Sequence, residues 1–133
     1  MNKKHKDKMN SIILKPEINE LYALNEFILN KLPHEDLRLN LIVEEIFVNI
    51  VKYSKTEFIK VTLDYEKPIA KLEFIDNGIQ FNPLLEEDIS TPNSIDEAKI
   101  GGLGIFLTKE LADELEYHHK NGENHLKIIK KVE

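Results

Sequence analysis

Apolar residues recur along this chain in two different periods, and the change of period divides it into elements. From Glu17 to Leu32, Ile18, Leu21, Leu24, Ile28 and Leu32 fall at intervals of three and four, which predicts an amphipathic helix. Pro33 ends it. Glu35 and Asp36 then open a second helical period that runs to about Ser54, and acidic residues there favour a helix N-terminus. Ahead of both, Ser11 to Lys15 is a short apolar run closed by Pro16, the pattern of an edge strand.

Beyond Ser54 the period drops to two. Glu57 to Tyr65 alternates through Ile59, Val61, Leu63 and Tyr65, and Pro68 to Ile75 alternates through Ile69, Leu72 and Phe74. Only Glu66 and Lys67 link them, which predicts an antiparallel hairpin. Asp76 to Ile100 is long and acidic and carries Pro83 and Pro92; a loop of that length in a compact domain suggests a functional lid. Leu103 to Asp113 returns to a helical period. Glu116 to Lys120 and His125 to Lys130 flank Asn121-Gly122-Glu123-Asn124 as a second hairpin. Strands and helices are segregated, so the expected fold is α+β: a two-layer sandwich of a mixed or antiparallel sheet packed on helices. Residues 11–133 are expected to form one domain behind a disordered tail, residues 1–10.

Composition narrows the function classes. The chain has 133 residues, 41% apolar and 32% charged, which is ordinary for one globular domain. It has no cysteine, which excludes disulfides, zinc-thiolate sites and thiol catalysis and fits a cytoplasmic protein. No apolar run reaches the ~20 residues that span a bilayer, so no membrane role is expected. A net charge of −6, with Arg38 the single arginine, argues against direct nucleic-acid binding. The spacing of His34, His118, His119 and His125 gives no zinc pattern.

Three motifs carry candidate chemistry. Glu45 and Asn49 are four apart on the second helix and share a face with Lys52. Taken alone, they also fit an exposed polar stripe. Asp76-Asn77-Gly78 follows an apolar strand, where it reads either as a turn or as a carboxylate placed to accept from an amine. Gly101-Gly102-Leu103-Gly104 opens a helix, and amides at a helix N-terminus bind anions that glycines let approach. A polar loop rather than a strand precedes these glycines, so a Rossmann unit is rejected; the Gly-Lys-Ser/Thr of a P-loop is absent.

In this order, VEEIFVNIVKY, DNGIQFNP and GGLGIFL resemble the N box and two glycine boxes of the GHKL (Bergerat) ATP-binding fold. The GGLGIFLTKELADELEYHHKNGENHLKIIKK ending and the compact length resemble, more narrowly, the anti-sigma-factor serine kinases of the RsbW and SpoIIAB kind. That resemblance covers the chain from about Ile12 onward. It implies that ATP and magnesium are cofactors, that Asn49 is the magnesium ligand and that Glu45, rather than Glu44, is the general base. It implies that Asp76 accepts from the adenine amine and that Gly78, Gly101, Gly102, Leu103 and Gly104 line the nucleotide. Gln80 departs from it, since a second glycine is usual there; Phe81-Asn82-Pro83 matches again.

The function implied is transfer of the γ-phosphate to a serine of a small STAS-domain anti-anti-sigma partner, with sequestration of a sigma factor or similar regulator. Members of this branch often pair, which admits a homodimer. The alternative is an ATP-binding regulatory module that sequesters a partner with little or no kinase activity. A histidine-kinase catalytic domain is a third reading; it needs a phospho-acceptor helix pair, for which the segment before Ile12 is too short. A plain scaffold would make the three motifs coincidence.

Overall fold

The computed structural model describes residues 10–85 and 103–132. Strand β1 (Ser11–Leu14) is followed by a 3-10 turn (Ile18–Glu20), helix α1 (Leu21–Lys31) and helix α2 (Leu37–Tyr53). Strands β2 (Ile59–Glu66) and β3 (Ile69–Asp76) come next, then helix α3 (Leu103–Leu111) and strands β4 (Glu114–Lys120) and β5 (Glu123–Lys131). The five strands form one sheet in the order β1-β2-β3-β5-β4, and every neighbouring pair is antiparallel. This is the α+β architecture that the pattern predicts, with β1 at an edge.

Helix α2 starts where Asp36 caps it, its carboxylate accepting from the Leu39 amide at 2.9 Å, a contact that contributes about 1 kcal/mol. Along α2, Leu39, Ile42, Val43, Ile46, Phe47 and Ile50 all turn inward and are buried. The sheet meets them with alternate residues: Ile59, Val61 and Leu63 on β2, Ala70, Leu72 and Phe74 on β3, Leu126 and Ile128 on β5. Residues between these, such as Lys60, Asp64, Lys71 and Glu73, point to the other face, which no described helix covers. Helix α3 lies against α2 and turns Ile105 and Thr108 inward, three positions apart. No described helix is long and apolar enough to cross a membrane.

Several boundaries differ from the sequence expectation. The first helix is a 3-10 turn followed by α1 from Leu21, and β4 begins at Glu114 rather than Glu116. Asn10, expected in the tail, is held in place, its carbonyl accepting from the Leu63 amide at 2.8 Å and its side chain donating to Asp64 at 3.1 Å. Helix α3 ends at Leu111, because Asp113 already pairs with β5, its amide donating to the Ile129 carbonyl at 2.9 Å. The connection between β4 and β5 is two residues rather than four. Asn121 and Gly122 both have positive φ, 55° and 76°, as a type I′ turn requires. Glu123 and Asn124 therefore belong to β5, and Asn124 lies directly opposite Asp76 on β3.

Candidate functional site

At one end of the sheet the C-terminal half of α2, the end of β3 and the start of β5 converge. Asp76, the last residue of β3, is 2% exposed. Its Oδ1 accepts three hydrogen bonds: from Ser54 Oγ at 2.6 Å, the Gly78 amide at 2.9 Å and Asn124 Nδ2 at 3.0 Å. A carboxylate taken out of water needs such donors. All three donors sit on one oxygen, and among the described residues no recorded donor reaches Oδ2. Asp76 thus makes the turn expected of Asp-Asn-Gly and also presents a second oxygen for another donor.

The neighbours of Asp76 fix that presentation. Asn124 Nδ2 also donates to the Ile79 carbonyl at 2.8 Å, and its Oδ1 accepts from the Phe81 amide at 3.0 Å and from the Tyr117 hydroxyl. Burial raises the Tyr117 pKa, with the Asp76 charge adding to the effect, so the phenol remains a donor at neutral pH. Asn77 closes the other side. Its Oδ1 accepts from the Glu57 amide at 3.0 Å, and its amide donates to Thr56 Oγ1 at 3.0 Å. The segment after β3 is thereby tied to β5 on one side and to the loop that leads into β2 on the other.

Gly78 is required by a close approach. A Cβ there would lie 2.1 Å from both the carbonyl oxygen and the hydroxyl of Ser54, the residue that ends α2. The Ile79 amide donates to that same carbonyl at 2.8 Å. The glycine lets the turn after β3 seat against the end of α2, so the first two motifs are locked together through Ser54. Beside the turn, the Tyr53 and Phe81 rings pack with centroids 5.6 Å apart. Gln80 is exposed, so the turn accommodates its side chain in solvent.

On α2 the exposed-stripe reading fails at Asn49, which is 4% exposed and whose Nδ2 has no hydrogen-bond partner. An orphaned buried amide in a native helix calls for an explanation, and an unmet ligand is one. Glu44 is exposed, whereas Glu45, one turn before Asn49, is half-buried. The Glu45 pKa is raised from its ordinary value by burial first and by the Glu44 charge second, with Lys52 opposing. The glycine motif is only partly described. Leu103 and Gly104 open α3, as expected, while Gly101, Gly102 and, of the lid expected over Asp76 to Ile100, residues 86–100 with Lys99 lie outside the described residues.

Sequence reasoning missed Ser54, Thr56, Tyr117 and Asn124. A legible signal existed for Asn124 alone: a two-residue Asn-Gly turn would have moved it into β5, opposite Asp76.

A family model described as a histidine kinase-like ATPase domain matches residues 21–130. Serine/threonine-protein kinase BtrW of Bordetella bronchiseptica is 30% identical over 94 residues, covering 68% of this chain. The match spans 66% of that relative's own length, just under two thirds. Histidine kinase AdeS of Acinetobacter baumannii, a solved structure, aligns with 92% of this chain and 68% of its own, with a TM-score of 0.53 at 13% identity. At that identity the likeness bears on the fold alone.

Proposed function

The chain belongs to the histidine kinase-like ATPase domain family and has its GHKL fold, and on that premise we propose that it is an ATP-dependent protein serine kinase. In this reading it phosphorylates a serine of a small STAS-domain anti-anti-sigma partner and sequesters a sigma factor or similar regulator. The observation that carries the nucleotide assignment is Asp76, buried with three donors on Oδ1 and Oδ2 left for a further donor. An exocyclic amine such as that of adenine is the matching group, since a carboxylate only accepts.

The remaining residues fit Mg-ATP by their chemistry. The unpartnered Asn49 Nδ2 is a donor suited to a phosphate oxygen, while the magnesium role falls to its carbonyl oxygen, a hard ligand for a cation that keeps most of its waters. Gly78 keeps the turn close against α2, and the sequence resemblance assigns the phosphates to Gly101, Gly102, Leu103 and Gly104, of which Leu103 and Gly104 open α3. Mg-ATP, when bound, supplies the phosphoryl group. Glu45 accepts the proton of the acceptor hydroxyl. Its raised pKa brings the carboxylate nearer the operating pH, where a general base is most effective. The kinase class is supported by the BtrW likeness, and the STAS-domain and sigma-factor partners by the sequence resemblance alone.

The test is single-turnover transfer from ATP to a STAS-domain acceptor. The unmutated chain should transfer, Glu45→Ala should bind ATP without transferring, and Glu44→Ala should behave as the unmutated chain. Normal transfer by Glu45→Ala would remove the base assignment. ATP binding with transfer to no STAS-domain acceptor would make the chain a sequestering module.

A further inference from the structure

We infer that the outer face of the β4–β5 hairpin is a binding site for a divalent transition-metal ion of the zinc or nickel kind, with His118 and His125 as its nitrogen ligands. The local spacing of the histidines gives no such signal; the strand register does. The type I′ turn makes His118 and His125 directly opposed partners. Opposed residues share a face with Cβ atoms about 4.5–5.5 Å apart, a span that two imidazoles close around one ion. Imidazole nitrogen is a ligand of choice for zinc, copper and nickel. The pair opens on a cleft of about 320 Å³ that Glu73 also lines.

Carboxylates surround both rings. His125 is held between two of them, Nδ1 lying 3.1 Å from Glu73 Oε2 and Nε2 lying 3.3 Å from Glu123 Oε1. Its side chain is 18% exposed, so it is the anchored member. A metal-bound histidine usually gives its other ring N–H to a carboxylate, the place Glu73 occupies. A metal ion on Nε2 replaces the Glu123 contact and brings that carboxylate within ligand reach. His118 Nε2 lies 2.6 Å from Glu116 Oε2, and this side chain, 60% exposed, is free to turn toward its partner.

Among the described residues no three acidic or imidazole groups already converge as a metal centre, so Glu123 or Glu116 completes the shell by side-chain rotation. Glu73, Lys120 and Lys127 line the cleft with the two rings, while Glu116 and Glu123 each contact one ring from outside that lining. His125 points away from the face that carries its neighbour Asn124, so this site lies behind the sheet from Asp76. Its nitrogen donors also differ from the oxygen ligands that magnesium takes.

Isothermal titration of the full chain with nickel or zinc chloride, without nucleotide, tests the inference. A His5→Ala background removes the one histidine outside the described residues. One equivalent should bind. Affinity should fall at least about tenfold in His118→Ala and in His125→Ala, by about 10- to 100-fold in Glu73→Gln, and remain unchanged in His34→Ala. His118 is exposed, so its variant should keep the circular dichroism spectrum of the unmutated chain. Absence of saturable binding, or binding indifferent to His118→Ala, would overturn the site. Either result is independent of ATP binding and of transfer.

Discussion

Replacing Asp76 by Asn changes one atom at the centre of the site and reverses what that atom can bind. Ser54 Oγ, the Gly78 amide and Asn124 Nδ2 all donate to Oδ1, so the new amide must leave its oxygen there. The NH₂ group then takes the place of Oδ2 and turns an acceptor into a donor. Three bonds to a carboxylate become three neutral ones, each weaker by about 0.5–1.5 kcal/mol, partly offset because a buried charge has gone. The fold should therefore survive with a loss of about 2 kcal/mol.

For adenine nucleotides the variant loses a charge-assisted bond of about 1.5–3 kcal/mol and sets donor against donor, a weakening of about 10- to 100-fold or more. Guanine carries a carbonyl where adenine carries its amine, so its nucleotides should bind the variant as well as or better than they bind the original. Titration calorimetry with ATP and GTP on both proteins, with urea unfolding as the control, reads this out. Equal losses for the two nucleotides would reduce Asp76 to a turn residue, and unchanged ATP affinity would refute its contact with the base.

The close approach at Gly78 predicts that Gly78→Ala destabilises by about 1–3 kcal/mol, because the added methyl meets a backbone carbonyl at 2.1 Å and the Ser54 hydroxyl that holds Asp76. Urea unfolding that moves by less than about 0.5 kcal/mol would contradict that packing. Burial raises the folded-state pKa of Glu45 above 4.5, so the native chain binds this proton more tightly than the unfolded one. Stability is therefore lost as pH rises from the unfolded value through the folded one. Glu45→Gln removes that loss and should gain stability relative to the parent on going from about pH 3.5 to about pH 7; a gap that is the same at both pH values would refute it.

The layers and most element boundaries were legible because each rests on a local rule. The cap at Asp36, the breaks at Pro16 and Pro33 and the shift from a helical to an alternating period near Ser54 are all short-range. What was hidden depends on distant pairing. Ser54 reads as the polar end of an apolar helix, and its bond to Asp76 spans 22 residues that no periodicity connects. Asn124 was hidden by a turn length: a four-residue loop places it in solvent, whereas the type I′ turn places it in the sheet. Asn49 left a trace. It falls three residues after Ile46 and seven after Ile42, on the buried side of α2, a trace that the exposed-stripe reading passed over.

The proposed kinase requires a magnesium-dependent ATP site between α2 and the end of β3. Calorimetric titration of the unmutated chain with ATP, with and without magnesium and alongside Asn49→Ala, tests it most directly. One nucleotide per chain should bind saturably, more tightly with magnesium, and Asn49→Ala should lose that magnesium dependence. No heat and no thermal shift at millimolar Mg-ATP would contradict it.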